Sequence, residues 1–142
     1  MEHTITIPGK PIGQPRQRHS VIGGHVRNYT PTDHPVTAFK YALRLAWQWP
    51  QIEGPVRCSI VAIYARPLSK IKKRGPNPET WHTSKPDADN IAKAILDSLN
   101  GVAWRDDSQV SELIVRKRVA AGGETARTIV TVSELSEEPT TC

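Results

Sequence analysis

The sequence predicts an α+β fold: a single compact domain with one mixed β-sheet of about four strands and two main helices. Three observations predict this class. The chain has 142 residues, which is enough for one ordinary domain and too few for two. Strand-like and helix-like segments follow one another in the order β-α-β-α-β-β, without internal repeats. The composition, 37% hydrophobic and 23% charged, is that of a globular protein with a modest apolar share.

The first half of the chain predicts one strand, one long loop and one helix. Isoleucines alternate with threonines in residues 3–9, which end in a Pro-Gly stop and therefore predict a short strand. Residues 10–31 are rich in Gly, Pro and Arg and predict a basic loop, with a loose hairpin at its Gly-Gly step. Apolar residues then recur at helical spacing between Pro35 and Pro50, which predicts an amphipathic helix.

The middle of the chain predicts the centre of the sheet and the second helix. A β-branched run at residues 56–65 predicts a central strand. Residues 66–86 are basic and broken by prolines, which predicts a second loop. Residues 90–100 carry an apolar stripe at helical spacing and end before Gly101, which predicts the second helix.

The last part of the chain predicts two strands. Residues 110–120 and 126–135 alternate in hydrophobicity, and two glycines lie between them, so we expect the two strands to form a hairpin. Residues 136–142 predict a flexible tail. All of residues 1–142 therefore belong to one expected domain.

The charge balance favours a polyanionic partner. Nineteen Lys and Arg residues against fourteen Asp and Glu residues give a net charge of +5, and a basic surface gains free energy by releasing counterions from a phosphate backbone. No apolar run approaches membrane-spanning length, the N-terminus lacks a signal-peptide core, and the two cysteines have no disulfide or zinc spacing. We therefore expect a cytoplasmic protein with no membrane partner.

The two basic loops are the candidate DNA-contacting segments. Lysines flank an aromatic Trp81 and His82, a composition typical of loops that bind phosphates and stack on bases. The alternative explanation is that the charged side chains of each loop are simply exposed to solvent and bind no DNA. The candidate DNA-binding residues are Arg16, Arg18, Arg27, Lys70, Lys72, Lys73, Arg74 and Lys85.

Acidic residues are concentrated around the second helix. Asp87 and Asp89 precede it and would share a face if the backbone there is extended, and Asp106 and Asp107 follow it after a short connection. Asp89 is also suited to cap the helix, which would explain that carboxylate without any chemistry. Lys93 lies four residues after Asp89, so it either forms surface salt bridges or reaches back towards the carboxylates.

Grouped carboxylates point to a divalent metal. Like charges a few ångströms apart repel one another, and a hard cation such as Mg²⁺ removes that cost because it prefers carboxylate and water oxygens. In phosphodiester hydrolysis such an ion activates water and neutralises the scissile phosphate, and a nearby lysine stabilises the transition state. The pattern therefore predicts a metal-dependent hydrolase acting on an extended polyanion, with a metal-dependent nucleotide hydrolase as a weaker alternative.

The stretch KPDADNIAKAILDSLNGVAWRDDSQV closely resembles the signature of the RusA-type Holliday-junction resolvases. The strand ending in PGKP, the Arg-rich loop and the NYTP before the first helix resemble the same family, so the likeness covers roughly residues 4 to 133. It implies a bacterial or phage-encoded homodimer that binds four-way junction DNA by its structure. It also implies paired nicks in strands of like polarity, made with Mg²⁺ or Mn²⁺.

The resemblance also implies roles for individual residues. Asp87, Asp89 and Asp107 match the family's metal-binding carboxylates, and Lys93 matches its catalytic lysine. Asp106 matches a neighbouring acidic position with a supporting role at the metal. The alternative is a junction-binding protein on the same scaffold that has lost cleavage.

Overall fold

The computed structural model describes residues 1–15, 18–29 and 34–136, with the backbone alone for residues 18–22 and 25–29. A five-stranded mixed sheet carries two helices on one face, and a separate two-stranded hairpin lies outside it. The α+β class is therefore confirmed. The elements are β1 (Glu2–Pro8), β2 (Arg18–Ile22), β3 (His25–Tyr29), α1 (Pro35–Ala46), β4 (Val56–Tyr64), β5 (Thr80–Trp81), α2 (Ala88–Leu99), β6 (Val110–Val119) and β7 (Arg127–Glu134). Two short 3₁₀ helices span Leu68–Lys70 and Asp107–Gln109.

The sheet has the order β1-β7-β4-β6-β5, so the predicted hairpin between the last two long strands is wrong. β6 runs parallel to β4 and β7 runs antiparallel to it, and β4 lies between them. The reason is burial: β4 is the most buried strand, and a neighbour on each side satisfies the backbone hydrogen bonds of both of its edges. The glycines at 122–123 turn the chain over the end of β4, where Ala120 N donates to Tyr64 O at 2.8 Å.

Three further strands lie inside the segments predicted as loops. β2 and β3 form the hairpin expected around Gly23 and Gly24, whose positive φ angles of 58° and 82° suit a tight hairpin turn. β5 is only two residues long and pairs with the outer edge of β6. The sheet therefore has five strands where about four were expected, because a two-residue strand leaves no periodicity in the sequence.

One apolar core joins both helices to the sheet. α2 buries Ile91, Ile95 and Leu99 completely, and Trp104 is completely buried just after the helix. Full burial of each such side chain contributes about 1.5–3 kcal/mol. Since these residues fix one face of α2 against the sheet, its polar residues are held on the opposite side. Within the ranges that the structure describes, no helix is long and apolar enough to cross a membrane.

Candidate active site

The N-terminus of α2 holds the first two acidic residues. The helix begins at Ala88, with Asp87 as its N-cap in an extended conformation, and Asp89 lies in its first turn. The prediction that Asp89 caps the helix is therefore wrong, as is the prediction that the two carboxylates share a face of extended backbone. The helix starts earlier than expected because the Asp87 carbonyl already accepts hydrogen bonds from Asn90 N and Ile91 N, at 3.1 and 3.2 Å.

The carboxylates of Asp87 and Asp89 are exposed and chemically available. The Asp87 side chain makes no capping hydrogen bond, and neither carboxylate has a hydrogen bond or ion pair with another residue that the structure describes. The partial positive charge at a helix N-terminus favours carboxylates at such positions. Their oxygen atoms remain open to a cation from solution.

Lys93 and Asp97 follow Asp89 along the polar face of α2, each one helical turn after the residue before it. Lys93 Nζ lies 3.9 Å from Asp97, and Lys40 of α1 lies 3.9 Å from the same carboxylate. Burial lowers the pKa of Lys40, and the charge of Asp97 opposes that shift. The Lys93 side chain is 63% exposed and its ion pair is long, so the ammonium group is held loosely and contributes little to stability.

Asp107 is oriented by a buried tryptophan. Trp104 is fully buried, and its Nε1–H donates to Asp107 Oδ1 at 2.8 Å. Burial raises the pKa of Asp107, and this Trp104 hydrogen bond opposes the rise. The carboxylates of Asp97 and Asp106 raise this pKa further while Lys93 lowers it, so Asp107 faces the Lys93–Asp97 part of α2. Trp104 was not among the predicted site residues, because its only signal in the sequence is an apolar residue three positions before the aspartate.

Asp106 stabilises the 3₁₀ helix that follows it. It caps the 3₁₀ helix Asp107–Gln109 through a hydrogen bond from Ser108 N to Asp106 Oδ2 at 3.0 Å. The Ser108 side chain and then this backbone bond lower the pKa of Asp106. Gln109 completes a capping box by accepting from Asp106 N, and its amide donates to the carbonyls of Ile52 and Gly54. Because Gln109 ties this turn to the chain before β4, it fixes the position of Asp107.

The acidic residues fit a divalent metal chemically, but they are not closely grouped. Among residues 1–15, 18–29 and 34–136, no three His, Cys, Asp or Glu side chains are arranged so that they could hold a metal ion. The carboxylates of Asp97 and Asp106 raise the pKa of Asp107, which is the excess of negative charge that a divalent cation would neutralise. Trp104 binds only Oδ1 of Asp107, so Oδ2 has no bond to this tryptophan. The metal ligands Asp87, Asp89 and Asp107, with Asp106 in support, stay a prediction.

The loop after β1 packs directly on the N-terminus of α2. Gln14 N donates to the Asn90 carbonyl at 2.9 Å, which ties the loop to the first turn of the helix. Gly13 lies so close that a Cβ atom there would be 2.7 Å from Pro86 Cβ. The sequence offered no signal for this contact, which joins one basic segment to the acidic residues.

The candidate DNA-binding residues fall into three groups. Arg16 lies outside the described residues, and so do the side chains of Arg18 and Arg27, whose backbones belong to β2 and β3. A second group sits at an exposed loop tip closed by two hydrogen bonds between Lys72 and Asn77; this group comprises Lys72, Lys73 and Arg74. The third group, Lys70 and Lys85, lines a cleft next to β5.

Comparison with known proteins identifies the family of this chain. The family model described as "Endodeoxyribonuclease RusA" matches residues 8–133, which include both acidic pairs, Lys93 and the basic segment 66–86. The chain is also 33% identical over 120 residues to the "Uncharacterized protein YqaN" of Bacillus subtilis (strain 168), covering 80% of this chain and 84% of that protein. The chain belongs to the RusA endodeoxyribonuclease family.

Proposed function

We propose that this protein is a divalent-metal-dependent endonuclease that resolves four-way DNA junctions by paired nicks, in DNA recombination and repair. Family membership supports a nuclease that acts on junction DNA. The metal dependence rests on the acidic residues around α2. The observation that carries it is the contact of Asp107 with Trp104, which orients this carboxylate towards the helix face that also bears Asp89 and Lys93.

Asp87, Asp89 and Asp107 would hold Mg²⁺ or Mn²⁺, and Asp106 would support them from its capping position. When bound, such an ion supplies an activated water and neutralises charge on the scissile phosphate. Trp104 keeps Asp107 in one orientation, which lowers the cost of ordering that ligand. Asp87 and Asp89 stand at the N-terminus of α2, where both carboxylates are exposed to a cation from solution.

Lys93 is the residue that would act on the phosphate charge. Its ammonium group is exposed and lies at the long distance of 3.9 Å from Asp97, so it can exchange that carboxylate for a phosphate oxygen without breaking a short ion pair. A cation positioned where negative charge develops stabilises the transition state of phosphodiester cleavage. The basic residues at 70–74 and Lys85 would bind the backbone on either side of the cut.

A homodimer is part of the proposal, since paired nicks require two sites. Tyr41 and Leu45 are both 62% exposed and lie four residues apart on α1, which gives an apolar surface of the kind that a second subunit covers. Size-exclusion chromatography with light scattering would give twice the chain mass if the homodimer forms. A mass of one chain at the concentration used for cleavage would contradict this part of the proposal.

The test is cleavage of a labelled four-way junction and a linear duplex of matching sequence, each with Mg²⁺ and with EDTA. We expect symmetric nicks in the junction alone, and only with the metal. Tight retention of the junction without nicks would instead support a DNA-binding protein that has lost cleavage, a reading that the loose grouping of the carboxylates favours. Release of phosphate from nucleoside triphosphates, with no cut DNA, would support a nucleotide hydrolase.

A further inference from the structure

A second site-like feature lies beside the acidic residues, at the end of β4. It is a cleft of about 450 Å³, which is within the size range of small-ligand sites. Its lining joins two aromatic rings to cations, namely Tyr64, His82, Lys10, Lys70 and Lys85. The cleft ends at Lys85, two residues before Asp87.

The floor of the cleft carries two polar atoms that lack partners. The rings of Tyr64 and His82 are stacked, with centroids 4.0 Å apart and planes 16° from parallel. Tyr64 is only 5% exposed, yet its hydroxyl is buried without a hydrogen bond to any described residue, and the same holds for His82 Nδ1. Buried polar atoms are normally satisfied, so two unsatisfied atoms at one cleft indicate a ligand that supplies the missing bonds.

Burial also determines the protonation of both rings. It raises the pKa of Tyr64 to about 12, so the hydroxyl stays a neutral donor and acceptor. The pKa of His82 is lowered by burial and by the cations Lys117 and Lys10, which keeps the imidazole neutral at neutral pH. A neutral imidazole nitrogen and a hydroxyl can exchange hydrogen bonds with the polar edge of a base.

Trp81 neighbours His82 in the chain, but its ring lies on the other face of the sheet. Its side chain is 63% exposed, and the Arg118 guanidinium of the paired strand lies 4.0 Å from its ring centroid. Successive side chains of an extended strand point to opposite faces, so His82 stacks on Tyr64 while the Trp81 indole points away from that pair. The Trp81 indole therefore serves as a nearby internal control for binding in the cleft.

Three of the cations at the cleft are free to bind an anion. Lys10, Lys70 and Lys85 form no ion pair or side-chain hydrogen bond with another residue in the described parts of the chain. Arg66 and Lys117, by contrast, donate to backbone carbonyls, Arg66 to those of Ala120 and Pro78 and Lys117 to that of Ser84. These bonds fix the walls and leave the three ammonium groups for a phosphate.

We infer that this cleft binds one nucleotide of the cleaved strand, with the polar edge of its base at the Tyr64 hydroxyl and His82 Nδ1 and its phosphate at the lysines. The inference rests on the proposed function and deepens it. At a branch point bases leave the duplex stack at lower cost than in an intact duplex, so a nucleotide there can enter a pocket. Because the cleft adjoins Asp87, a base bound in it would select where the strand is cut.

The inference is tested by nuclear magnetic resonance of the ¹⁵N-labelled full chain, without divalent metal. The probes are the four deoxynucleoside 5′-monophosphates, with inorganic phosphate as the control. We expect at least one nucleotide to shift the imidazole signals of His82, assigned with His82→Asn, and to leave the indole signals of Trp81 and of the buried Trp104 unchanged. Inorganic phosphate should leave the His82 imidazole signals unchanged.

Variants sharpen the test. Tyr64→Phe removes one hydroxyl and keeps the ring, so the nucleotide should bind about 3–10-fold more weakly, the loss expected for one hydrogen bond. Tyr41→Phe is the matched control, because Tyr41 is exposed on α1 away from the cleft, and it should bind the nucleotide like the unmodified chain. Equal affinity in Tyr64→Phe would contradict the assigned contact.

Two outcomes overturn the inference. One is an equal response to phosphate and to nucleotides, which would mean an anion site without a base pocket. The other is no shift of the His82 imidazole signals with any nucleotide at millimolar concentration. Both readouts are independent of cleavage: a chain that cuts junctions without binding nucleotides here refutes only this inference, whereas nucleotide binding without any cleavage refutes only the proposed function.

Discussion

Gly13→Ala is a sharp test of whether the N-terminus of α2 takes part in chemistry. A methyl group at this position would lie 2.7 Å from Pro86 Cβ and 3.3 Å from Asn90 Cβ. Carbon atoms pack at about 3.5–4.0 Å, so the loop and the segment before α2 must separate by roughly 1 Å. Overpacking of this kind costs about 1–3 kcal/mol of unfolding free energy. A displacement near 1 Å at a reacting group lowers a rate by about 10²-fold.

The assay is single-turnover cleavage of a labelled four-way junction with Mg²⁺, together with thermal unfolding. We expect a folded variant that cuts about 10²-fold more slowly. Gly54→Ala is the matched control, since its new Cβ would meet only the flexible end of Glu134, 3.2 Å from Oε1, and should change neither quantity appreciably.

Gly122→Ala adds a second control with the same degree of steric clash. Its new Cβ would lie 2.7 Å from Asn77 Cβ, in the basic loop and not at the acidic residues, so we expect weaker DNA binding with turnover retained. A Gly13→Ala variant that loses stability as expected yet cuts at the unmodified rate would contradict this prediction. That result would mean that the N-terminus of α2 is remote from the chemistry.

Three further predictions follow from single contacts. Lys93→Ala should lower the cleavage rate by about 10²–10³-fold with junction binding retained, whereas Lys40→Ala should leave the cleavage rate unchanged. Single-turnover rates and gel retention measure the two quantities, and a loss of binding alone in Lys93→Ala would contradict the catalytic role of Lys93. Burial raises the pKa of Cys58 to about 12, so in a Cys142→Ser chain only about 10⁻⁴ of this thiol ionises at pH 8, and iodoacetamide should label it only after unfolding. Gln109→Ala removes hydrogen bonds to the Ile52 and Gly54 carbonyls and should lower the free energy of unfolding by about 1–3 kcal/mol, as measured by urea denaturation.

The elements of the fold could be predicted from the sequence because each carries its own local pattern. Residues 56–65 are a β-branched run bounded by prolines, and they form β4 at the centre of the sheet. The pairing of the strands could not be predicted in this way. The glycines at 122–123 signal that the chain turns, but they do not say which strands become neighbours, since β6 and β7 both pair with β4.

In the candidate site, the identity of the residues could likewise be predicted, but their orientation could not. Asp87, Asp89, Lys93 and the later pair of aspartates could be selected from residue type and spacing, because acidic residues are few in a basic chain. Their orientation depends on contacts between distant segments. The hydrogen bond from Trp104 to Asp107 requires the turn after α2, so no local pattern predicts it.

The basic cleft escaped sequence analysis for the same reason. Trp81 and His82 were recognised as aromatic residues within a charged loop, but Tyr64 reads as an ordinary core residue of β4. Only the pairing of β5 with β6 brings His82 onto the Tyr64 ring.

The central claim is that Asp87, Asp89 and Asp107 bind the metal that cuts the DNA. The most direct measurement compares single-turnover junction cleavage in Asp87→Asn, Asp89→Asn, Asp107→Asn and Asp97→Asn, with junction binding measured in EDTA. We predict that the first three bind the junction but do not cut it, whereas Asp97→Asn still cuts, because Asp97 pairs with Lys40 and Lys93. Cleavage at the unmodified rate in any of the first three, or a loss confined to Asp97→Asn, would contradict the account.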